Sequence, residues 1–338
     1  MLVNNRISAN AEFTFVHIGL PTEVKKHGKT TICITAGIES DRLPSGWAEA
    51  CNQNIDALIV PSSFMKDLFV RAQVKIPVYV VGEGADTSIF NNIPGQPLDL
   101  PIDTEFNFLT SGQWMQHAQM NDRKGISWLL KWFCEMFKDD PKVGLVIKTM
   151  STNVSSPDCW VTERRIDGFK QKRKYPKIYL VHGDMTDQEM SALYRDSRIK
   201  AFVSCTSGEG FGRTILEAVV SDLPVLVTGW SGHMDFVQKD LATCFEYDIA
   251  PIPPENYLKG LFESGMQWAI PKEDDVKRKI RRCVDSYSIA KERALKLGAI
   301  CRETFSKTKT DQDLIQVFDT IIKPVSNIIV PGINMERM

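Results

Sequence analysis

The chain has 338 residues, enough for two α/β domains with a core each. Apolar and charged fractions of 43% and 25% are those of an ordinary globular protein, and a formal net charge of −1 gives no global pull toward nucleic acid or an acidic membrane. The eight cysteines (33, 51, 134, 159, 205, 244, 283 and 301) form no C-x-x-C pair and sit beside no histidine cluster at ligand spacing, which argues for reduced thiols and against a disulfide scaffold or structural zinc.

Along the first hundred residues strands alternate with helices. Phe13 to Ile18 and Thr31 to Thr35 are rich in β-branched and aromatic residues and read as strands. Leu43 to Asn52 reads as a short helix opened by Pro44 and Ser45. Ala57 to Val60 is a buried strand, Ser62 and Ser63 start a helix from Phe64 to Ala72, and Pro77 to Val81 is a further strand. Residues 91 to 104 hold three prolines and a glycine and read as a linker. A second series follows. Glu105 to Thr110, Gly144 to Thr149, Ile178 to Val181 and Ile199 to Val203 read as strands, Gly125 to Phe137 and Asp187 to Arg195 as helices. The tail from Ala290 to Lys323 is largely helical, with an apolar stripe over Asp311 to Ile322. Such alternation implies parallel sheets with right-handed crossovers. Met1 to Arg6 lacks the apolar core of a signal peptide and no stretch is long enough to span a bilayer, so a cytoplasmic protein is expected. The basic runs Lys170 to Lys177 and Lys277 to Arg282 are read as solvated faces, with an anionic acceptor or membrane contact as the lesser alternative.

The most informative stretch runs from Ser204 to Ala218, Ser-Cys-Thr-Ser-Gly-Glu-Gly-Phe-Gly-Arg-Thr-Ile-Leu-Glu-Ala. It joins a strand to an amphipathic helix that stops near Pro224, followed by a short strand, Val225 to Val227, and the turn Gly229-Trp230-Ser231-Gly232. In a βαβ unit of this kind, ligands sit where strand ends meet helix starts. Glycines at 208, 210 and 212 open the backbone to a phosphate or sugar, and the carboxylates of Glu209 and Glu217 lie eight residues apart, about 12 Å along a helix. The spacing is not the G-x-G-x-x-G of a dinucleotide site, and no G-x-x-x-x-G-K-[ST] is present.

This segment resembles the E-x7-E signature of retaining GT-B glycosyltransferases, in particular glycosyltransferase family 4. The likeness extends to Glu39 to Trp47 (E…L-P-x-x-W), Val60 to Phe64 (V-P-S-x-F), Val81 to Phe90 (P-x-G-V-D…F) and Asp122 to Gly125 (R-K-G). The resemblance implies an α/β, GT-B fold with two doubly wound Rossmann-like domains facing a cleft. A shortened N-terminal, acceptor-side domain would span 1–103 and a nucleotide-sugar-binding domain 104–305, with a C-terminal helix in 306–338 packing back on the first.

The resemblance further implies a retaining transferase that moves a hexose-type sugar from a UDP- or GDP-linked donor to a hydroxyl acceptor. No cofactor or metal is expected, the donor being a co-substrate. Lys124 matches the family's phosphate-binding lysine, with Arg123 beside it. Where the family places an arginine this chain has Gln113, so either Arg123 or Lys148 substitutes or the diphosphate is held less strongly. Glu209 is expected at the donor sugar, Glu217 on the ribose hydroxyls, and Gly210, Phe211 and Gly212 as backbone N–H donors. Of the five histidines (17, 27, 117, 182 and 233), each is read as a surface or packing residue, His233 being the best placed to face the cleft. A glycan, a lipid-linked glycan, a protein or modified DNA remain open as acceptors. A non-catalytic GT-B module that binds a nucleotide sugar or a partner, and a nucleotide-sugar epimerase, are the alternatives.

Overall fold

In the computed structural model, which describes residues 13–95, 98–115, 119–171 and 173–322, two parallel sheets carry the chain. The first is built from β1 (Thr14–Ile18), β2 (Thr30–Ile34), α1 (Trp47–Asn54), β3 (Ala57–Val60), α2 (Ser63–Arg71) and β4 (Val78–Val80). Its strands lie in sequence order, all parallel. Trp47 and Cys51 of α1 and Met65, Leu68 and Phe69 of α2 bury against Cys33, Leu58 and Val60. The side chain of Ser62 caps α2 by accepting the Met65 N–H.

The second unit contains β5 (Phe106–Ser111), α3 (Ile126–Met136), β6 (Val143–Thr149), α4 (Ser156–Lys170), β7 (Lys177–His182), α5 (Asp187–Tyr194), β8 (Ile199–Ser204), α6 (Arg213–Val220), β9 (Val225–Thr228) and β10 (Thr243–Phe245). Its six parallel strands run in the order β10-β9-β8-β5-β6-β7. Alternate side chains feed two cores, one on each face of the sheet. Phe108, Leu145, Ile147, Ala201 and Val203 pack under α3 and α4, whereas Leu109, Val146 and Phe202 pack under α5 and α6. The chain winds outward from β5 to β7, then returns to β8 on the other side of β5. The sheet therefore reverses direction between β5 and β8, where their loops part and leave a crevice.

An antiparallel ribbon follows, β11 (Tyr247–Pro251) with β12 (Gln267–Pro271), then α7 (Glu273–Asp285), α8 (Tyr287–Thr304) and α9 (Lys307–Ile321). The ribbon ties the two units together. Trp268 buries in the core of the first sheet, and Asp41 and Gln267 exchange hydrogen bonds. A further tie forms where α8 ends. Ala85 bridges Ser306, with its N–H on the Phe305 carbonyl (2.9 Å) and its carbonyl on the Lys307 N–H (2.8 Å). Gly84 leaves room for this contact, since a Cβ there would stand 2.6 Å from Lys307 Cα. From this point α9 runs beside the first sheet, and Leu314 lines a groove at its strand ends.

Sequence expectations place no element at α4, β10, the β11–β12 ribbon or α7. Helix α4 carries few apolar residues, so its period is faint, although Ser155 caps it and a proline stands in its first turn. The β11–β12 ribbon is short and interrupted by a long connection. The basic run in α7 is a solvated face, with Lys277 on Glu135 and Glu273, and Arg278 and Lys279 on Asp275. Expectations for His117 and for residues 1–12 and 323–338 lie outside the described residues.

Candidate active site

At the crevice, the loop leaving β8 is clamped from both units. Gly210 offers its carbonyl to the Ser62 hydroxyl (2.7 Å), and its α-carbon lies against the Ala36 carbonyl with no space for a side chain. Gly212 turns left-handed (φ 99°) to start α6, and a Cβ there would press on His233 at 3.0 Å. The N–H groups of Gly210, Phe211 and Gly212 make no hydrogen bond with any described residue.

Opposite this loop stands a second tight turn. The buried carboxylate of Asp122 takes the Ser127 N–H (2.7 Å), and its carbonyl takes the Gly125 N–H (2.9 Å). Gly125 has φ 68°, with its α-carbon against the Cys205 carbonyl. The Ser207 N–H then closes on the Arg123 carbonyl at 2.7 Å. Backbone geometry thus aims Arg123 and Lys124 at the glycine loop.

Lys124 Nζ donates to both Glu209 oxygens, at 2.7 and 2.9 Å. The Thr206 hydroxyl adds a third bond to that carboxylate, and the Glu209 N–H donates to Ser231 Oγ. Burial alone would raise the Glu209 carboxyl, but the charges of Lys124 and then Arg123 outweigh it and hold the group at about 2. Glu209 is therefore ionised throughout the neutral range. Arg123 is engaged elsewhere, donating to the Gly208 carbonyl (3.0 Å) and pairing with Glu39 (3.1 Å).

Glu217, one turn into α6, is buried and accepts the Tyr194 hydroxyl at 3.2 Å. Burial pushes its carboxyl up to about 7, against the pull of Arg213. Arg213 opens α6 with an exposed guanidinium, loosely placed between Glu83 (3.7 Å) and Glu217 (3.8 Å). Together Lys124, Glu209, the glycine loop, Arg213, Glu39 and Glu83 line a pocket of about 220 Å³.

Several expected residues are placed otherwise. The ring of Phe211 is buried against Phe236 and Phe305, so only its backbone is available. The exposed Gln113 donates to the Ser151 carbonyl (3.1 Å) at the end of β5. Lys148 is tied to the Gly183 carbonyl, and burial lowers the proton affinity of its amine. Neither lines the Lys124–Glu209 pocket. His233, read as a surface or packing residue and the best placed of the five to face the cleft, packs wholly buried behind Gly212 with Nε2 on the Thr228 carbonyl (2.7 Å). Sequence reasoning gave no role to Arg213, Glu83 or Glu39. Arg213 did leave a signal, since a cation is disfavoured at a helix start unless an anion joins it.

Residues 181–314 match the family described as Family 4 Glycosyltransferase in conflict systems. The whole chain is similar in structure to a glycosyltransferase from Rickettsia africae, with a TM-score of 0.62 at 16% identity over 89% of this chain and 72% of that one. HepE of Anabaena, in complex with UDP and glucose, aligns at 0.63 and 14% identity over 86% and 72%. The fold is that of a GT-B glycosyltransferase. Sucrose-phosphate synthase of Thermosynechococcus elongatus is a further GT-B neighbour, at 0.60 and 15% identity over 87% and 68%. No curated protein matches this GT-B chain in sequence. Among the described residues no helix is long and apolar enough to cross a membrane, and no three His, Cys, Asp or Glu side chains are grouped to hold a metal ion.

Proposed function

We propose that this protein transfers a sugar from a nucleoside-diphosphate donor to a hydroxyl acceptor, with retention at the anomeric carbon and without a metal. The observation that carries the reading is the pocket at the β5/β8 crevice, where Lys124, Arg213 and three free N–H groups converge beside an ionised Glu209. Diphosphate departure needs preorganised positive charge and N–H donors, and these groups supply both. Arg213 takes the part of the arginine that Gln113 lacks, because Lys148 and Arg123 are already held by protein partners. Glu209 grips the donor sugar and Glu217 the ribose. In the transfer the bond from the anomeric carbon to the diphosphate breaks, the acceptor oxygen bonds that carbon on the same face, and the acceptor's proton leaves with the diphosphate.

UDP is the first nucleotide to test, because it is the ligand of the Anabaena neighbour. Calorimetric titration of UDP, GDP and CDP with chelator present should find one nucleotide that binds wild type and binds Glu217→Ala at least tenfold more weakly. Silence across all three would end the donor reading. One feature favours the second reading, a binding module without turnover: the Lys124 ammonium already spends two of its three donors on Glu209. Nucleotide binding with no donor-sugar consumption across an acceptor panel would select it.

A further inference from the structure

Beside the donor pocket lies a groove of about 420 Å³, set across the carboxyl ends of all four strands of the first sheet. Its walls are Ile18, Leu20, Ile34, Ile59 and Val81, closed on one side by Leu314 of α9. Among the described residues lining it, Glu83 is the one ionisable side chain. Glu83 and Ala36 also line the pocket of Lys124 and Glu209, so the two spaces meet there. The groove is not a covered core face, as Ile18 at its rim is 79% exposed. Apart from Glu83 and the Thr35 hydroxyl, which already accepts the Gly37 N–H, the described walls offer a polyanion or a polar glycan no cation or hydrogen-bonding side chain, whereas an aliphatic body buries there without losing polar contacts. Its size is that of a small-molecule site.

We infer that the groove is the acceptor subsite, and that the acceptor is an alcohol whose hydroxyl is joined to an aliphatic body. The hydroxyl lies at the Glu83 end, facing the donor pocket, and the chain lies along Ile18, Ile34, Ile59 and Leu314. This inference rests on the donor reading above, but it fails separately. Modified DNA and hydrophilic polysaccharide drop out as acceptors.

Two probes carry identical sugar hydroxyls and differ only in their tails, n-octyl β-glucoside and methyl β-glucoside. Titrated below micelle formation into the full chain with saturating UDP, the octyl compound should bind at least tenfold tighter than the methyl one. Ile18→Asp and Leu314→Asp change exposed or half-exposed positions and should abolish that preference while leaving UDP affinity unchanged. Equal binding of the two glucosides, or a preference that survives both variants, overturns the inference, including the case in which a terminal segment of the chain fills the groove. If the octyl preference is present while UDP, GDP and CDP are all silent, the donor reading falls and an apolar binding groove remains.

Discussion

At the scale of single residues, two glutamates in one motif have opposite electrostatics. Glu209 is held at about 2 by Lys124 and Arg123 despite its burial, whereas Glu217, with only a distant guanidinium, is pushed to about 7. Each consequence has its own sign. Because the folded protein holds the Glu217 proton more tightly than the unfolded chain, this group's contribution is greatest below about 4.5 and is lost as pH rises through about 7. Between pH 5 and 8 that loss is roughly 2–3 kcal/mol. Urea unfolding should show Glu217→Gln with a flatter profile and higher stability than wild type at pH 8. An unchanged slope would place the proton elsewhere. For Glu209 the sign reverses: its stabilisation is present above about 4.5 and fades toward about 2, outside the working range. At the same scale, Arg213→Gln should weaken UDP binding while sparing uridine, reading about tenfold on the diphosphate alone. Calorimetry on the two ligands decides it. The sequence reveals the carboxylates because their spacing and glycines form a linear pattern. Arg213 leaves only a faint signal, a cation at a helix start, because a cation's worth depends on which rival cations are already paired.

At the scale of elements, the site is two tight turns facing each other, each fixed by a left-handed glycine. Gly125→Ala would force the Arg123–Lys124 turn off the Cys205 carbonyl, and Gly212→Ala would strain φ 99° against His233. Each substitution should cost about 1–3 kcal/mol. Gly125→Ala should in addition cut turnover by about a hundredfold through the displaced lysine. Chemical denaturation and initial rates on the same preparations separate these effects. Most strands and helices were readable because their apolar runs and caps are strong. Helix α4 was not, since only Asp158, Thr162 and Ile166 bury along its fifteen residues, and two of those are polar. The surface-or-packing reading of His233 resolves to packing only once the loop in front of it is placed.

At the scale of the molecule, an aromatic cluster of the second unit stands behind the Ala85–Ser306 tie to the first. Phe211 of the site loop packs on Phe236 and on Phe305, the residue whose carbonyl accepts from Ala85. Phe305→Ala should cost about 2–3 kcal/mol, less than a fully buried phenylalanine, and should loosen the glycine loop. Loss of nucleotide affinity together with stability would support that coupling, while loss of stability alone would confine Phe305 to packing.

The Ala85–Ser306 bridge also closes a long loop of chain. About 220 residues of chain lie between its two ends, and closing so long a loop carries a large entropic cost that its few hydrogen bonds cannot offset unaided. The bridge is expected to form once the second sheet has condensed and brought the ends together. During synthesis the first sheet leaves the ribosome early, and Leu314 closes one side of its groove only after the last helix has been made, so until then the strand ends expose still more aliphatic surface.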